Sequence, residues 1–415
     1  MRKLKYIMCA TIALATGAVT ISADDDQSDI RQNPTIELGR LTADIEYPSF
    51  INKDANHINM NGADWLDLQQ IFALADICPV TIVHIGDSHL QADMGTAVTR
   101  QRLGKVFDHQ RGRGLIIPFK LAGTNQPVDY SITSRTSFAQ SRLLKLPWPT
   151  KMGFTGIGIS PAKHDFDLSV TTEEFFDELT IYFSGDTLQL LSAIANGSPV
   201  PYITNDSSKA LHIHFAENFQ SVDLRLKAPS GTAIHGVNAS LGDTGLAYHV
   251  IGNNGAAFSS YTGIGNVGND ISEFFEPDLI ILSLGTNEAF GKISERDFRN
   301  TIDALVSELK MANPDAAFLL VTPQECHRRT GRRRRKSFSV NANVKRLRNV
   351  ILDYARDNGI PVYDWYKVAG GDGSSYHWIS GSYMNTDHIH LTRAGYVLHG
   401  NLFTDALLEC LAPQN

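Results

Sequence analysis

Short, predominantly apolar segments alternate with helical segments along much of this chain of 415 residues. The apolar runs are 80–85, 247–251, 277–284, 316–322 and 360–363. Parallel strands that are covered on both faces have this composition, because neither face meets water. The sequence therefore predicts an α/β fold with a doubly wound parallel sheet. In such sheets a ligand binds at the carboxyl edge of the strands.

The segments between these runs predict helices. In residues 63–76 the apolar side chains recur at helical spacing, which is typical of an amphipathic helix. Further helices are predicted over 90–108, 295–311, 341–358 and 392–411. Each of them follows or precedes an apolar run, as a layered α/β fold requires.

Residues 115–240 have a different pattern. Short alternating runs such as 179–183 and 211–215 are separated by Gly, Pro, Asn and Ser, which predicts an inserted β-sandwich. The predicted organisation is therefore a first part over 24–114, the insertion over 115–240, and a second part over 241–415.

The first 23 residues predict export. Three basic residues precede the apolar run 6–21, and Ser22-Ala23 follows it, which is typical of a secretory signal peptide. A membrane anchor is the alternative, but the run falls short of the roughly 20 strongly apolar residues of a span. We expect a periplasmic or secreted protein without a transmembrane segment in the mature chain.

Charge and cysteine content narrow the function classes. The formal net charge of −7 gives no support to nucleic-acid binding. After residue 23 the chain keeps Cys78, Cys326 and Cys410, which permit at most one internal disulfide. Their spacing matches no zinc or redox motif, so buried structural cysteines are expected.

Two separated motifs predict nucleophilic catalysis. Ser88 follows the first apolar run in the tripeptide Gly-Asp-Ser, and Asp387 precedes His390 by three residues. A serine, a base and a carboxylate are what acyl transfer requires. In this hypothesis His390 accepts the serine proton and Asp387 orients the imidazole. The alternative is that Asp387 caps the helix that begins near Thr392, and His388 is expected to point elsewhere.

Three hydrogen-bond donors are candidates for an oxyanion hole. They are the backbone N–H of Ser88, the backbone N–H of Gly255 in the turn 252–255, and the side-chain amide of Asn287. Gly255 precedes two alanines, so a substrate could approach the backbone closely. Taken alone, the glycine could equally be an ordinary turn residue.

Two further features are candidates for substrate binding. The basic run 328–336 contains Arg332, Arg333 and Arg334 and follows a strand, so it either binds an anionic polymer or is a solvated loop. Four aromatic residues before Asp387 form either a sugar-stacking wall or part of the core. They are Trp365, Tyr366, Tyr376 and Trp378, of which Trp378 is the candidate for glycan binding.

One histidine pair could suggest a metal site. His212 and His214 share one face of a predicted strand, where an exposed polar face is the favoured interpretation. We predict no metal and no other cofactor.

Four motifs together resemble the sequence blocks of the SGNH/GDSL hydrolases. They are Gly86-Asp87-Ser88, the turn that contains Gly255, Gly285-Thr286-Asn287, and Asp387-x-x-His390. The nucleophile-elbow pattern Gly-x-Ser-x-Gly is absent, which argues against an ordinary α/β-hydrolase. The resemblance implies a flavodoxin-like SGNH hydrolase fold with Ser88, Asp387 and His390 as the triad. It also implies Ser88, Gly255 and Asn287 as oxyanion donors. His89 and Glu288 stand where many members of this family have other residues. Neither departure removes a catalytic group, so they bear only on the subfamily.

A narrower resemblance points to a substrate. Residues 238–241 and 245–249 are similar to a segment of exported bacterial peptidoglycan O-acetylesterases, in which a carbohydrate-binding-module-like domain interrupts the hydrolase. This implies a metal-independent serine esterase that removes acetyl groups from a glycan. A lipid or thioester acylhydrolase and a non-hydrolytic, glycan-binding or acyl-transferring envelope protein are the alternatives.

Overall fold

The computed structural model describes residues 46–107, 110–330 and 337–411. The predicted signal peptide therefore lies outside the described residues. The strands are, in chain order, β1 (Ile58–Asn59), β2 (Pro79–Gly86), β3 (Gly114–Ile116), β4 (Tyr130–Thr133), β5 (Phe138–Arg142), β6 (Ile157–Pro161), β7 (Asp165–Ser184), β8 (Gln189–Ala195), β9 (Ser198–Pro199), β10 (Tyr202–Asp206), β11 (Ala210–Lys227), β12 (Ala233–Ser240), β13 (Gly245–Gly252), β14 (Leu279–Ser283), β15 (Ala317–Val321), β16 (His327–Arg329), β17 (Phe338–Val340) and β18 (Val362–Tyr363).

The helices lie mainly before β2 and after β13. They are α1 (Leu66–Phe72), α2 (Ser88–Gln91), α3 (Met94–Val106), α4 (Phe258–Tyr261), α5 (Val267–Phe275), α6 (Glu295–Ala312), α7 (Ala342–Asp357), α8 (Trp365–Val368), α9 (Ser374–Ser380) and α10 (Arg393–Leu411). Short 3-10 helices cover Lys53–Ala55 and Glu288–Phe290.

The central sheet has the strand order β1-β18-β15-β14-β2-β13. Its pairs are parallel except that of β1 with β18, which is antiparallel. β13 pairs with one side of β2, and the next strand along the chain, β14, pairs with the other side. The strand order thus reverses at β2, which is where ligands bind in open α/β sheets. The predicted doubly wound sheet is confirmed.

The strand register brings the predicted functional segments to one edge. Gly86 at the end of β2 is paired with Gly252 at the end of β13 and with Ser283 at the end of β14. Ser88, Gly255 and Asn287 follow these three strand ends by two to four residues. The carboxyl edge of the sheet therefore collects chain segments that are far apart in sequence.

Each face of the central sheet has its own core, because alternate strand residues point to opposite faces. Ile82 and Ile281 share one apolar cluster with residues of α1, α3 and α10. Val83 and Ile280 share the other with residues of α5, α6 and α7. Covering of both faces explains why these strands are predominantly apolar.

The predicted helix 90–108 is interrupted. It is divided into α2 and α3 at Asp93, which has a left-handed backbone with φ of 51°. The buried Asp93 carboxylate accepts hydrogen bonds from Thr96 and Arg113, and from Arg100 Nη2 at 2.9 Å. Arg113 follows α3 and comes directly before β3, so this ion pair joins the helix to the β-rich segment. Such a contact between distant residues overrides the local helical pattern.

The segment from β3 to β12 is rich in β-structure, as predicted. Its strands form one continuous antiparallel sheet in which the long strands β7 and β11 are the central pair. Buried residues of this sheet, such as Ile181 and Ile213, belong to the same apolar cluster as Val83 of β2. The segment therefore shares a core with the central sheet. The boundaries 24–114, 115–240 and 241–415 stay predictions.

Cys326 and Cys410 are free thiols. Cys78 and Cys326 are buried and Cys410 is partly buried. In the described residues no helix has both the length and the hydropathy that a membrane span requires.

Candidate active site

The turn after β2 presents Ser88 at the start of α2. Asp87 caps this helix, because its Oδ1 accepts a hydrogen bond from the His89 N–H at 2.9 Å. Gly86 is needed at the strand end, since a Cβ there would lie 2.7 Å from the Ser283 carbonyl oxygen of the neighbouring strand. The hydroxyl of Ser88 therefore stands at the carboxyl edge of the sheet, beside the first turn of a helix.

The loop before α10 brings His390 to Ser88. The Nε2 atom of His390 lies 2.8 Å from Ser88 Oγ, and its Nδ1 atom lies 2.6 Å from Asp387 Oδ2. An ionised carboxylate can only accept, so Nδ1 carries the proton and Nε2 accepts from the serine hydroxyl. The arrangement has the geometry of a serine, base and carboxylate relay.

Asp387 is held by more than the imidazole. Its Oδ1 accepts from the backbone N–H groups of Ile389 at 2.9 Å and of His390 at 3.0 Å. Against the effect of burial, the hydrogen bonds from the His390 ring and from these N–H groups lower the pKa of Asp387. The carboxylate therefore stays ionised at neutral pH and keeps its partner in one tautomer.

His388 turns away from Ser88. It has a left-handed backbone with φ of 60°, and its ring packs on Phe338 with centroids 4.1 Å apart. Its Nδ1 lies 3.1 Å from Nδ1 of His327, whose backbone N–H also donates to the His388 carbonyl at 2.9 Å. The hairpin of β16 and β17 thus supports the loop 387–390 from behind.

Behind this hairpin lies a series of buried, hydrogen-bonded side chains that the sequence analysis did not identify. His327 Nε2 lies 3.0 Å from Ser375 Oγ, which in turn donates to Glu325 Oε2 at 2.5 Å. Glu325 and His327 are two residues apart, whereas Ser375 comes from the distant helix α9, so the sequence did not indicate the contact.

The three predicted oxyanion donors converge at the ends of β2, β13 and β14. Asn287 Nδ2 donates to the Ala256 carbonyl at 2.9 Å and to Asp87 Oδ2 at 3.3 Å. It therefore connects the residue after Gly255 with the residue before Ser88. Gly255 has φ of 81°, a left-handed conformation that favours glycine.

Gln91, a second residue that sequence reasoning missed, holds the turn 252–255. Its Oε1 accepts from the Asn254 N–H at 2.7 Å, directly before Gly255. Its Nε2 donates to the Asn125 carbonyl at 2.8 Å in the β-rich segment. The buried Gln91 side chain thus links the helix of Ser88, the glycine turn and the β-rich segment.

Glu288 is a buried carboxyl group beside this site. Its Oε1 accepts from the Phe258 N–H at 2.8 Å, and its Oε2 has no hydrogen-bond partner among the described residues. Burial raises the pKa of Glu288 from 4.5 to about 7. Burial also raises the pKa of Asp87 to about 6.

Glu288→Gln is expected to flatten the pH dependence of stability. Because the folded-state pKa of about 7 exceeds the ordinary 4.5, the folded state binds more protons between these values. The free energy of unfolding therefore falls as pH rises through this window, by about 1.4 kcal/mol per pH unit, or about 3 kcal/mol in total. Urea unfolding at pH 5 and pH 8 measures this loss, and the glutamine variant should lack it. The exposed Glu295→Gln is the control, and equal slopes in all three proteins would contradict the prediction.

Two predictions about substrate contacts have different outcomes. The prediction that Trp378 contacts a glycan is wrong, because its side chain is fully buried and its Nε1 donates to the Ala369 carbonyl at 2.8 Å. Trp365 and Tyr366 are buried too, and Tyr376 is exposed. Arg332, Arg333 and Arg334 lie outside the described residues.

His212 and His214 lie on the outer face of β11. Each approaches Glu178 of β7, with Nδ1–oxygen distances of 3.2 Å and 3.7 Å. The sequence indicated no nearby carboxylate, and strand pairing supplies this one. Within the described residues no group of three or more His, Cys, Asp or Glu side chains could hold a metal ion.

Residues 232–398 match the model of the GDSL-like lipase/acylhydrolase family. Over this range the chain is similar to GDSL-like lipases and acylhydrolases. The matched range contains Gly255, Asn287, Asp387 and His390, whereas Ser88 precedes the β-rich segment and lies before that range. The resemblance predicted from the sequence blocks is confirmed at the level of the family.

One solved structure shares the fold of this chain along most of its length. A peptidoglycan O-acetylesterase superimposes with a TM-score of 0.69 at 19% sequence identity, covering 86% of this chain and 98% of the other. A protein from Bacillus subtilis matches with a TM-score of 0.35 at 14% identity, covering 67% and 90%. A family two carbohydrate esterase from Clostridium thermocellum matches with a TM-score of 0.30 at 11% identity, covering 66% and 98%. No curated protein matches the chain.

Proposed function

We propose that this GDSL-like hydrolase is an exported serine esterase that removes O-linked acetyl groups from a carbohydrate polymer such as peptidoglycan. The observation that carries the proposal is the relay in which Ser88 Oγ, the His390 ring and Asp387 are joined at 2.8 Å and 2.6 Å. A hydroxyl becomes a nucleophile when a neighbouring base can take its proton.

The proposed reaction has two half-reactions. Ser88 Oγ attacks the ester carbonyl while His390 Nε2 takes its proton, and His390 then returns that proton to the departing glycan oxygen. Water next attacks the acyl group on Ser88, again with His390 as base, and releases acetate. Asp387 stabilises the imidazolium that forms in each half-reaction.

Negative charge develops on the carbonyl oxygen in both half-reactions. In the proposal the N–H groups of Ser88 and Gly255 and the amide of Asn287 stabilise this charge, a contribution worth about 10²–10³ in rate for one donor. The Asn287 N–H that now donates weakly to Asp87 at 3.3 Å is the one we assign to the oxyanion. The other N–H remains with Ala256.

The substrate part of the proposal has two supports. The fold matches that of a peptidoglycan O-acetylesterase along 86% of the chain. The basic run 328–336 begins within the hairpin strand β16, which packs on the loop 387–390, and we propose that Arg332, Arg333 and Arg334 of this run bind an anionic polymer. Export is proposed from the signal-peptide pattern of residues 1–23.

Acyl-chain preference tests the proposal. We expect the chain from residue 24 onward to hydrolyse aryl acetate at least about tenfold faster, in kcat/KM, than aryl butyrate or octanoate, since one excess methylene is worth about 1–3 kcal/mol in a pocket built for a shorter group. Ser88→Ala supplies the blank. A preference for octanoate would contradict the assignment in favour of a lipid or thioester acylhydrolase. Hydrolysis no faster than the blank would contradict the esterase assignment and favour a glycan-binding or acyl-transferring protein.

A further inference from the structure

A groove of about 200 Å³ lies between the β-rich segment and the carboxyl edge of the central sheet. Gln91 and Asn254 line its inner side. Thr124, Arg142, Leu144 and Lys145 line its outer side. Arg142 is the last residue of β5, and Leu144 and Lys145 belong to the connection between β5 and β6. None of these outer residues was singled out from the sequence.

The groove reaches the proposed ester-binding position. Asn254 directly precedes Gly255, and Gln91 lies three residues after Ser88. A Cβ placed on Gly255 would lie 2.8 Å from Leu144 Cδ1, so the Leu144 side chain covers the glycine from the β-rich segment. A sugar whose ester carbonyl is attacked by Ser88 would therefore lie beside this wall.

The outer wall is held in place. The Arg142 carbonyl accepts from the Lys145 N–H at 3.0 Å and from Trp148 Nε1 at 2.9 Å. At the base of the same connection, Ser141 Oγ donates to the Thr150 carbonyl at 2.8 Å. A wall fixed by such contacts loses little conformational entropy when a ligand binds.

The charge of the groove selects for an anion. Lys145 is exposed and Arg142 partly exposed, and no described carboxylate forms an ion pair with either side chain. One Arg142 nitrogen, Nη1, donates to the Gly123 carbonyl at 2.9 Å, which orients the guanidinium. Since the whole chain has a net charge of −7, two unpaired cations beside the site are not an effect of overall composition.

We propose that this groove binds a carboxylate-bearing part of the glycan next to the acylated sugar, with Arg142 and Lys145 pairing with the carboxylate. The inference rests on the proposed esterase function and names the chemistry of its substrate. Arginine binds carboxylates through paired N–H donors, and the apolar Leu144 offers contact to a sugar ring.

The test compares two charge-neutralised double variants on two substrates. The first variant is Arg142→Gln with Lys145→Gln. The control is Lys163→Gln with Lys227→Gln, which removes two exposed cations of the β-rich segment away from the groove. The substrates are soluble O-acetylated peptidoglycan fragments and the same fragments with their carboxylates converted to methylamides by carbodiimide coupling.

We expect the groove variant to raise KM for the carboxylate fragments about tenfold with little change in kcat, as for loss of a charged contact worth about 1.5 kcal/mol. The methylamide fragments should show no such difference between the wild type and the groove variant. An unchanged KM, or an equal rise with both substrates, would overturn the proposal.

Binding separates this inference from the esterase proposal. In a Ser88→Ala background, calorimetry with the same fragments measures affinity without turnover. An approximately tenfold weaker affinity in the groove variant, absent with methylamide fragments, supports the groove even when no ester is hydrolysed. Equal affinities of the groove and control variants overturn it even when the wild type is an active esterase.

Discussion

His390→Ala is expected to lower kcat for aryl acetate by about 10⁶-fold, as loss of the general base does in serine hydrolases of unrelated fold. The reason is that, among the described residues, the basic nitrogen in hydrogen-bond contact with Ser88 Oγ is His390 Nε2, at 2.8 Å. Without that acceptor the serine proton has nowhere to go as the oxygen attacks. Steady-state hydrolysis at high enzyme concentration, corrected for Ser88→Ala, measures the loss.

A matched histidine substitution provides the control. His214 is half-exposed on the outer face of β11, so His214→Ala should retain the wild-type rate. Thermal unfolding of both variants checks that the fold is kept. A His390→Ala protein within about tenfold of the wild-type rate would contradict the proposed role, because one misplaced contact alone costs more than that.

Asp387→Asn is expected to lower kcat by about 10⁴-fold. The carbonyl oxygen of the new amide side chain can still accept from the N–H groups of Ile389 and His390, so the loop should keep its shape. The amide nitrogen would present an N–H to Nδ1 of His390, which moves the imidazole proton to Nε2. That tautomer cannot accept the proton of Ser88. Steady-state hydrolysis of aryl acetate measures the loss.

A double variant with both His390→Ala and Asp387→Asn tests whether Asp387 acts through the imidazole. If Asp387 acts only through the imidazole, then Asp387→Asn added to His390→Ala should cost almost nothing further. Asp353→Asn, at an exposed ion pair with Arg356, is the control and should keep the wild-type rate. A loss of kcat in the double variant that equals the product of the two single losses would contradict the relay.

Much of the framework could be predicted because it depends on local pattern. Predominantly apolar runs identified β2, β13, β14 and β15, and parallel strands align their carboxyl ends at one edge. That rule alone was enough to expect Ser88, Gly255 and Asn287 to be neighbours, although the three residues are far apart in the chain.

Features that depend on partners from distant segments could not be predicted. The helix 90–108 is interrupted at Asp93, because Arg113 supplies a charge from outside the helix. Trp378 is of a residue type that stacks on sugar rings, but its side chain on α9 is buried in the core. An aromatic residue in a sequence does not show which of its faces another segment covers.

The sequence by itself therefore determined the fold class, the order of the motifs and the residue types available for chemistry. Periodicity and strand ends are properties of contiguous residues, and these suffice for such conclusions. Only the tertiary structure decided how the site is completed: Gln91 holding the glycine turn, His327 supporting the loop 387–390, and Leu144 closing over Gly255. These contacts join residues from segments that are distant in the chain, and their geometry exists only once those segments have packed together.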